Sequence, residues 1–250
     1  MSNTAKPTCN LAGSVVVVTG ASKGIGRAIA LRLAQEGCAL VLVARSEHLL
    51  QAVAAEIHEQ VANAPPVSLE VADLSDPAHC EALIPSIEEA CGRIDVLINN
   101  AGITGRICPL HESTAADIRR TIDINLTTPT ILTAQALRGM ITRQHGTILN
   151  INSIVAKTSF PNWGPYCASK HGMHAIAESV AEEQRGNGIR VLGLYLGAVD
   201  TPIWDGVADS SGRSAMLTPE RVADAAAFML LQPDDTFIPE LVLRSMAFGL

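Results

Sequence analysis

The chain of 250 residues is short of charge. Asp, Glu, Lys and Arg make up 17% of it, against the roughly 25% usual in soluble domains. The balance is acidic, with 25 carboxylates against 18 Lys and Arg and a formal net charge of −7. No Lys/Arg run is longer than Arg119-Arg120, so the basic surface that releases counterions from a polyanion is missing and a nucleic-acid partner is not expected. Long apolar runs are missing too. Val15 to Val18 and Cys38 to Ala44 are among the longest, far below the roughly 20 apolar residues that span a bilayer, so no membrane is expected. The first thirteen residues lack the apolar stretch and small-residue cleavage site of a secretory signal. The six cysteines (Cys9, Cys38, Cys80, Cys91, Cys108 and Cys167) form no C-x-x-C pair and have no His spaced for a tetrahedral site. They predict no metal and a reducing cytoplasm. Low charge also suggests that part of the surface is buried, between subunits as one account.

Short β-branched runs alternate with helix-length amphipathic segments along nearly the whole chain. Strands are expected at Ser14 to Thr19, Ala39 to Ala44, Val67 to Val71, Asp95 to Asn99, Thr147 to Asn152 and Ile189 to Tyr195, with a short seventh within Pro239 to Leu243. Helices are expected at Ile25 to Glu36, Glu47 to Val61, Ala78 to Cys91, Pro165 to Arg185 and Pro219 to Leu231, and Thr114 to Arg143 reads as two helices meeting near Thr127 to Pro129. Strands that are apolar on both faces and separated by helices imply a doubly wound α/β fold with a parallel, about seven-stranded sheet covered on both sides. No linker, repeat or low-complexity segment interrupts the series. One domain is therefore expected over residues 1–250, with 1–12 as an N-terminal tail and 203–218 as a mobile substrate loop.

The first strand runs into Thr19-Gly20-Ala21-Ser22-Lys23-Gly24-Ile25-Gly26, which opens a helix. Gly20 permits a tight turn, Gly24 lets backbone approach a pyrophosphate, and Gly26 allows close helix-to-strand packing, while Ser22 to Ile25 sit at a helix N-terminus whose N–H groups suit an anion. An acidic residue about 20 positions past the glycines normally meets the ribose 2′-hydroxyl of NAD. Arg45 stands there instead, nineteen positions after Gly26, and no carboxylate comes before Glu47. A guanidinium favours a 2′-phosphate, with Lys23 as a second cation, so NADP(H) is the expected cofactor.

Tyr166 and Lys170 are four apart at the start of a helix and share a face. A free phenol has a pKa of roughly 10, so a Tyr working as acid or base needs a nearby positive charge. The glycine turn at Thr19 to Gly26, Asn99-Asn100-Ala101-Gly102 after the fourth strand, Ser153 after the fifth and Tyr166-x-x-x-Lys170 occur in one order and spacing. With them the chain resembles the short-chain dehydrogenase/reductase family over residues 12 to 243. The resemblance implies a single Rossmann-fold domain in which Tyr166 is the general acid in reduction and Ser153 orients the carbonyl oxygen. It implies that Lys170 binds the nicotinamide ribose and favours the tyrosinate, and that Asn125 holds a water in a proton relay. The same resemblance makes Asp73 and Leu74 adenine contacts, Asn99, Ala101 and Gly102 the turn that stabilises the central sheet and passes the cofactor, and Val199 and Thr201 contacts at the nicotinamide, with Thr201 on its carboxamide. The family's usual proline after the sixth strand is Leu196 here. That adds an N–H donor and frees φ.

Substrate-facing candidates in the loops at the strand ends are Ile103, Arg106, Val155, Phe160, Trp163, Val199 and Trp204. A mostly apolar wall suits a small-molecule carbonyl or alcohol on a hydrophobic or aromatic body. The expected reaction is NADPH-dependent reduction of a ketone or aldehyde, by relatives that include 3-oxoacyl-carrier reductases and broad carbonyl reductases. An NAD-dependent alcohol dehydrogenase would share the four catalytic residues but conflicts with Arg45, and a non-catalytic NADP sensor would be expected to have lost one of them. The helix from Pro165 carries Ala168, Gly172, Ala175, Ile176 and Ser179, small enough for close helix approach. The family implies a homo-oligomer, tetramer or dimer, through this helix, and packing within one subunit would explain the same residues.

Overall fold

The first strand, β1 (Val15–Thr19), is four valines and a threonine, all buried. Its side chains alternate between two cores: Val16 and Val18 enter one, Val15 and Val17 the other. A strand apolar on both faces has to be covered on both. The computed structural model, which describes residues 10–205, 210–233, 236 and 238–247, shows how. Seven parallel strands lie in the order β3-β2-β1-β4-β5-β6-β7. They are β2 (Ala39–Ala44), β3 (Val67–Val71), β4 (Val96–Asn99), β5 (Gly146–Ser153), β6 (Ile189–Leu196) and β7 (Glu240–Leu243) with β1. Helices α1 (Gly24–Gln35), α2 (Glu47–Gln60) and α8 (Pro219–Leu230) cover one face. On the other face α3 (Pro77–Cys91) and α5 (Thr128–Arg143) fill the second core, and Val180 of α6 (Gly164–Glu183) packs against it. The remaining helices are α4 (Ala115–Ile122) and the single turn α7 (Ser210–Arg213).

The strand order reverses at β1, whose neighbours are β2 on one side and β4 on the other. A crevice opens at such a switch point, beyond the carboxyl ends of the strands. Local chemistry sets the helix ends. Asp76 caps α3 by accepting from Ala78 N, with Pro77 at its first position, and Thr114 and Asp117 form a capping box on α4.

The junction expected near Thr127 to Pro129 is not a break. Asp123–Thr127 is a π-helical turn that joins α4 to α5 without interruption, and Asn125 sits at its centre. The tail expected over residues 1–12 lies outside the described residues up to Cys9, as do 206–209 of the loop expected over 203–218. The described parts of that stretch include a 3-10 turn at Pro202–Trp204, α7, and a bridge from Leu217 to Val199. No helix among the described residues is long and apolar enough to cross a membrane.

Candidate active site

The ends of β1 and β4 are stapled together. Thr19 Oγ1 donates to Ile98 O and accepts from the N–H groups of Asn100 (2.9 Å) and Ala101 (3.1 Å). Asn100 Nδ2 donates to Thr19 O at 2.8 Å. Two glycines are needed for this approach. Gly20 has a φ of +68°, and a Cβ there would lie 2.9 Å from Asn100 Nδ2, while one on Gly26 would run into Gly20 O. The chain then enters α1 with Lys23 at its N-cap and no side-chain cap bond, leaving its first N–H groups to meet an anion.

A groove of about 500 Å³ follows from this turn. It is lined by Gly20, Ser22, Lys23, Gly24 and Ile25 on one side and by Ala101, Gly102 and Thr201 nearer the sheet. Arg45, Asp73 and Leu74 line the end beyond β2 and β3. Arg45 is exposed and forms no hydrogen bond or ion pair among the described residues, and the same holds for Lys23. Hydrogen bonds from the Ser75 backbone and hydroxyl hold the Asp73 carboxyl below the ordinary carboxylate range, with Arg45 and His79 adding to the effect.

Ile25, Asn100, Gly102 and Thr201 line both this groove and a second cleft of about 460 Å³. Ser153, Tyr166, Lys170 and Val199 line the cleft. Ser153 ends β5, in register with Leu196, and Tyr166 and Lys170 lie one turn apart on α6. Burial pushes the Tyr166 phenol up to about 12, against the opposing hydrogen bond of Ser153. Lys170 is 7% exposed. Its Nζ donates to Ile151 O at 3.2 Å and lies 5.9 Å from the centre of the Tyr166 ring, and burial pushes the ammonium down to about 8. Burial therefore dominates both groups and favours the neutral form of each.

A family model for short chain dehydrogenases matches residues 14–211. The chain belongs to the short-chain dehydrogenase family. It is 36% identical to a sepiapterin reductase of Chlorobaculum tepidum, over 92% of this chain and 95% of that one. It is also 36% identical to a levodione reductase of Leifsonia aquatica, over 81% and 76%. The crystal structure of a metagenomic short-chain oxidoreductase in complex with NADP superposes with a TM-score of 0.82 at 35% identity, covering 95% of this chain and 99% of that one.

Within this short-chain dehydrogenase the expected site residues divide between the two cavities and the packing behind them. Asn99 takes the sheet-stabilising part of its expected role and does not face the groove. It is 3% exposed, and its Nδ2 donates to Thr133 Oγ1 and Asn150 Oδ1, both at 3.0 Å, inside the sheet. Asn100, one residue on and pointing the other way, lines both cavities. Gly26 lines neither and acts through packing. Asn125 is 1% exposed, and its amide is committed: Oδ1 accepts from Ile103 N at 2.9 Å, while Nδ2 donates to Ile103 O at 2.8 Å and Ser169 Oγ at 3.2 Å. Asn125 thus clasps the loop after β4 to α6. Arg106 turns outward to Glu112 O and Asp117 and does not line the cleft. Leu196 stays in β6, in register with Ser153 and Leu243, where a proline would have no N–H to donate. Arg120 of α4 lines the groove and Asn152 the cleft. Neither belongs to a spacing motif, and only the fold brings them in.

Gly172 meets Leu126 of its own chain, where a Cβ would lie 2.7 Å from Leu126 Cδ2. Ala168, Ala175 and Ser179 are exposed on the same helix. The small residues of α6 therefore divide between packing inside the subunit and a free face.

Proposed function

We propose that this chain is an NADP(H)-dependent reductase of a ketone or aldehyde, with Tyr166 as the proton donor. One observation carries the reading: the groove that begins at the glycine turn with Lys23 and reaches Arg45 beyond β2 opens into the cleft where Ser153 and Tyr166 stand together. Its residues fit the dinucleotide. Ser22 to Ile25 offer backbone N–H groups to a pyrophosphate, and Arg45 with Lys23 offers charge to a 2′-phosphate. Asp73 and Leu74 flank the adenine end, and Ala101 and Gly102 let the cofactor pass. Thr201 takes the carboxamide beside Val199, and Lys170 takes the ribose hydroxyls. When bound, the nicotinamide supplies the hydride that adds to the carbonyl carbon.

Ser153 Oγ donates a hydrogen bond to the carbonyl oxygen and fixes the face presented. Tyr166 Oη gives its proton to the same oxygen as negative charge develops there. A phenol held near 12 is fully protonated before turnover, as an acid in the reductive direction must be. Lys170, still charged below about 8, offsets the negative charge left on the tyrosine oxygen. Asn125 is a positioning residue that fixes the Ile103 loop. Ile203 and Trp204 border the substrate side, and the exposed small face of α6 carries homo-oligomer contacts.

Parallel titration of the protein with NADPH and NADH, followed by nicotinamide fluorescence and repeated with Arg45→Ala, tests the cofactor half. NADPH is expected to bind more tightly, with a preference on the order of tenfold or more that the mutant loses. Equal binding of the two by the unaltered protein would overturn it.

A further inference from the structure

The chain contains only eight aromatic residues, four Phe, two Trp and two Tyr. Four of them, Phe160, Trp163, Tyr166 and Trp204, line the one cleft that holds the reacting groups. Both tryptophans of the chain are among them. The rings form a continuous run: Trp163 meets Tyr166 edge-on at 5.5 Å between centroids, and Trp204 lies 6.0 Å from Trp163 at 57°. Two elements far apart in sequence supply the run. Trp163 is the N-cap residue of α6, and Trp204 ends the 3-10 turn after β6.

Charge is withdrawn from the same wall. Arg213, on α7, is the nearest loop cation. It is spent on Asp200 Oδ1 at 2.6 Å, Asp205 Oδ1 at 2.8 Å and Thr201 O at 3.1 Å, which also clamps the segment bearing Trp204. Lys157 pairs with Glu240 at 2.7 Å. Arg244 packs its stem against Gly197 without lining the cleft. Among the described residues, the only charged side chain in the lining is Lys170, whose Nζ donates to Ile151 O.

We propose that the cleft selects a neutral aromatic ketone or aldehyde, its ring lying against Trp163 and Trp204 while Ser153 and Tyr166 hold its oxygen. The substrate class rests on the carbonyl-reductase reading above. Trp163 and Trp204 are the specificity residues. A flat ring gains from tilted and offset contact with indole in a way that a saturated ring does not, and a carboxylate on the far side of the ring would be desolvated with no partner. Lys170 and Thr201, assigned to the nicotinamide end, share the same 460 Å³, so the space left suits one or two rings.

Because both tryptophans line the cleft, quenching of intrinsic fluorescence reports its occupancy without turnover. In the complex with NADP+, which cannot reduce a ketone, acetophenone is expected to bind roughly three- to tenfold more tightly than cyclohexyl methyl ketone. It should also bind at least about tenfold more tightly than 4-acetylbenzoate. Under NADPH turnover the same order should appear in KM. In Trp204→Leu, and separately in Trp163→Leu, the acetophenone KM should rise by a larger factor than that of the cyclohexyl ketone, so that the two converge. Reduction of all three ketones with similar KM, or a ring preference that survives both variants, would overturn the proposal and leave the reductase reading intact. Ring-selective binding with no reduction of any carbonyl would overturn the reductase reading and leave the ring site standing.

Discussion

The groove and the cleft meet at Gly102 and Thr201, yet they are made of different material. The phosphate side of the groove is backbone, a glycine turn, a helix N-terminus and the Ala101-Gly102 segment after β4, held by Thr19 and Asn100. Its cations Lys23, Arg45 and Arg120 are exposed. The cleft is side chain, with an aromatic run on one wall and three buried or half-buried polar groups at its base. Backbone recognition fits what is common to every dinucleotide and tolerates little change. Side-chain recognition can be altered one residue at a time, and there a substrate is chosen.

Substitutions should fall out along that division. The largest effect short of the phenol itself is expected at Lys170. Lys170→Met should lower turnover on the order of 10² to 10³, the scale of losing one preorganised stabilising group, and weaken coenzyme binding. The same change should stabilise the fold. Burial holds the ammonium near 8, below its ordinary 10.5, so at pH 7 the folded chain carries a charge that water would solvate better. Relief of about 1–3 kcal/mol is expected in urea unfolding. The sign is testable. From about pH 8 to 10 the unfolded chain still binds the lysine proton that the folded chain has released, so the unaltered protein gains stability as pH rises through that window, and the mutant does not.

Gly26→Ala comes next. A Cβ would press on Gly20 O in a turn with no slack, for a loss of about 1–3 kcal/mol in stability, and NADPH and NADH binding should fall together, unlike the selective loss in Arg45→Ala. Selective loss of NADPH binding in Gly26→Ala would contradict the backbone account. The smallest effect is expected at Thr201, whose side chain packs on Gly24. Thr201→Val should weaken NADPH binding by about 1 kcal/mol, one hydrogen bond's worth, measured by titration. Unchanged affinity and turnover would remove Thr201 from the nicotinamide contacts.

The division also explains what the sequence could tell. Valine-rich β1 and the apolar alternation with helices read directly as a buried parallel sheet, because few other arrangements cover both faces. The glycine turn and the Tyr166/Lys170 spacing are local and visible. Asn100 was not singled out, although strand alternation points to it: Asn99 is in register with Asn150 and faces the sheet interior, so the next residue faces the crevice. The π-helical turn at Asn125 had no signal beyond a polar residue in a good helix. Arg120 and the meeting of Trp163 with Trp204 join segments that only tertiary folding brings together.

The central claim is that the Tyr166 phenol in the cleft gives the proton. It is tested most directly by comparing Tyr166→Phe with the unaltered protein for NADPH affinity and for the single-turnover rate of acetophenone reduction. The account predicts affinity within error of the original and a rate lower on the order of 10² to 10⁴. A rate close to that of the unaltered protein, with NADPH bound equally well, would show that another group is the acid.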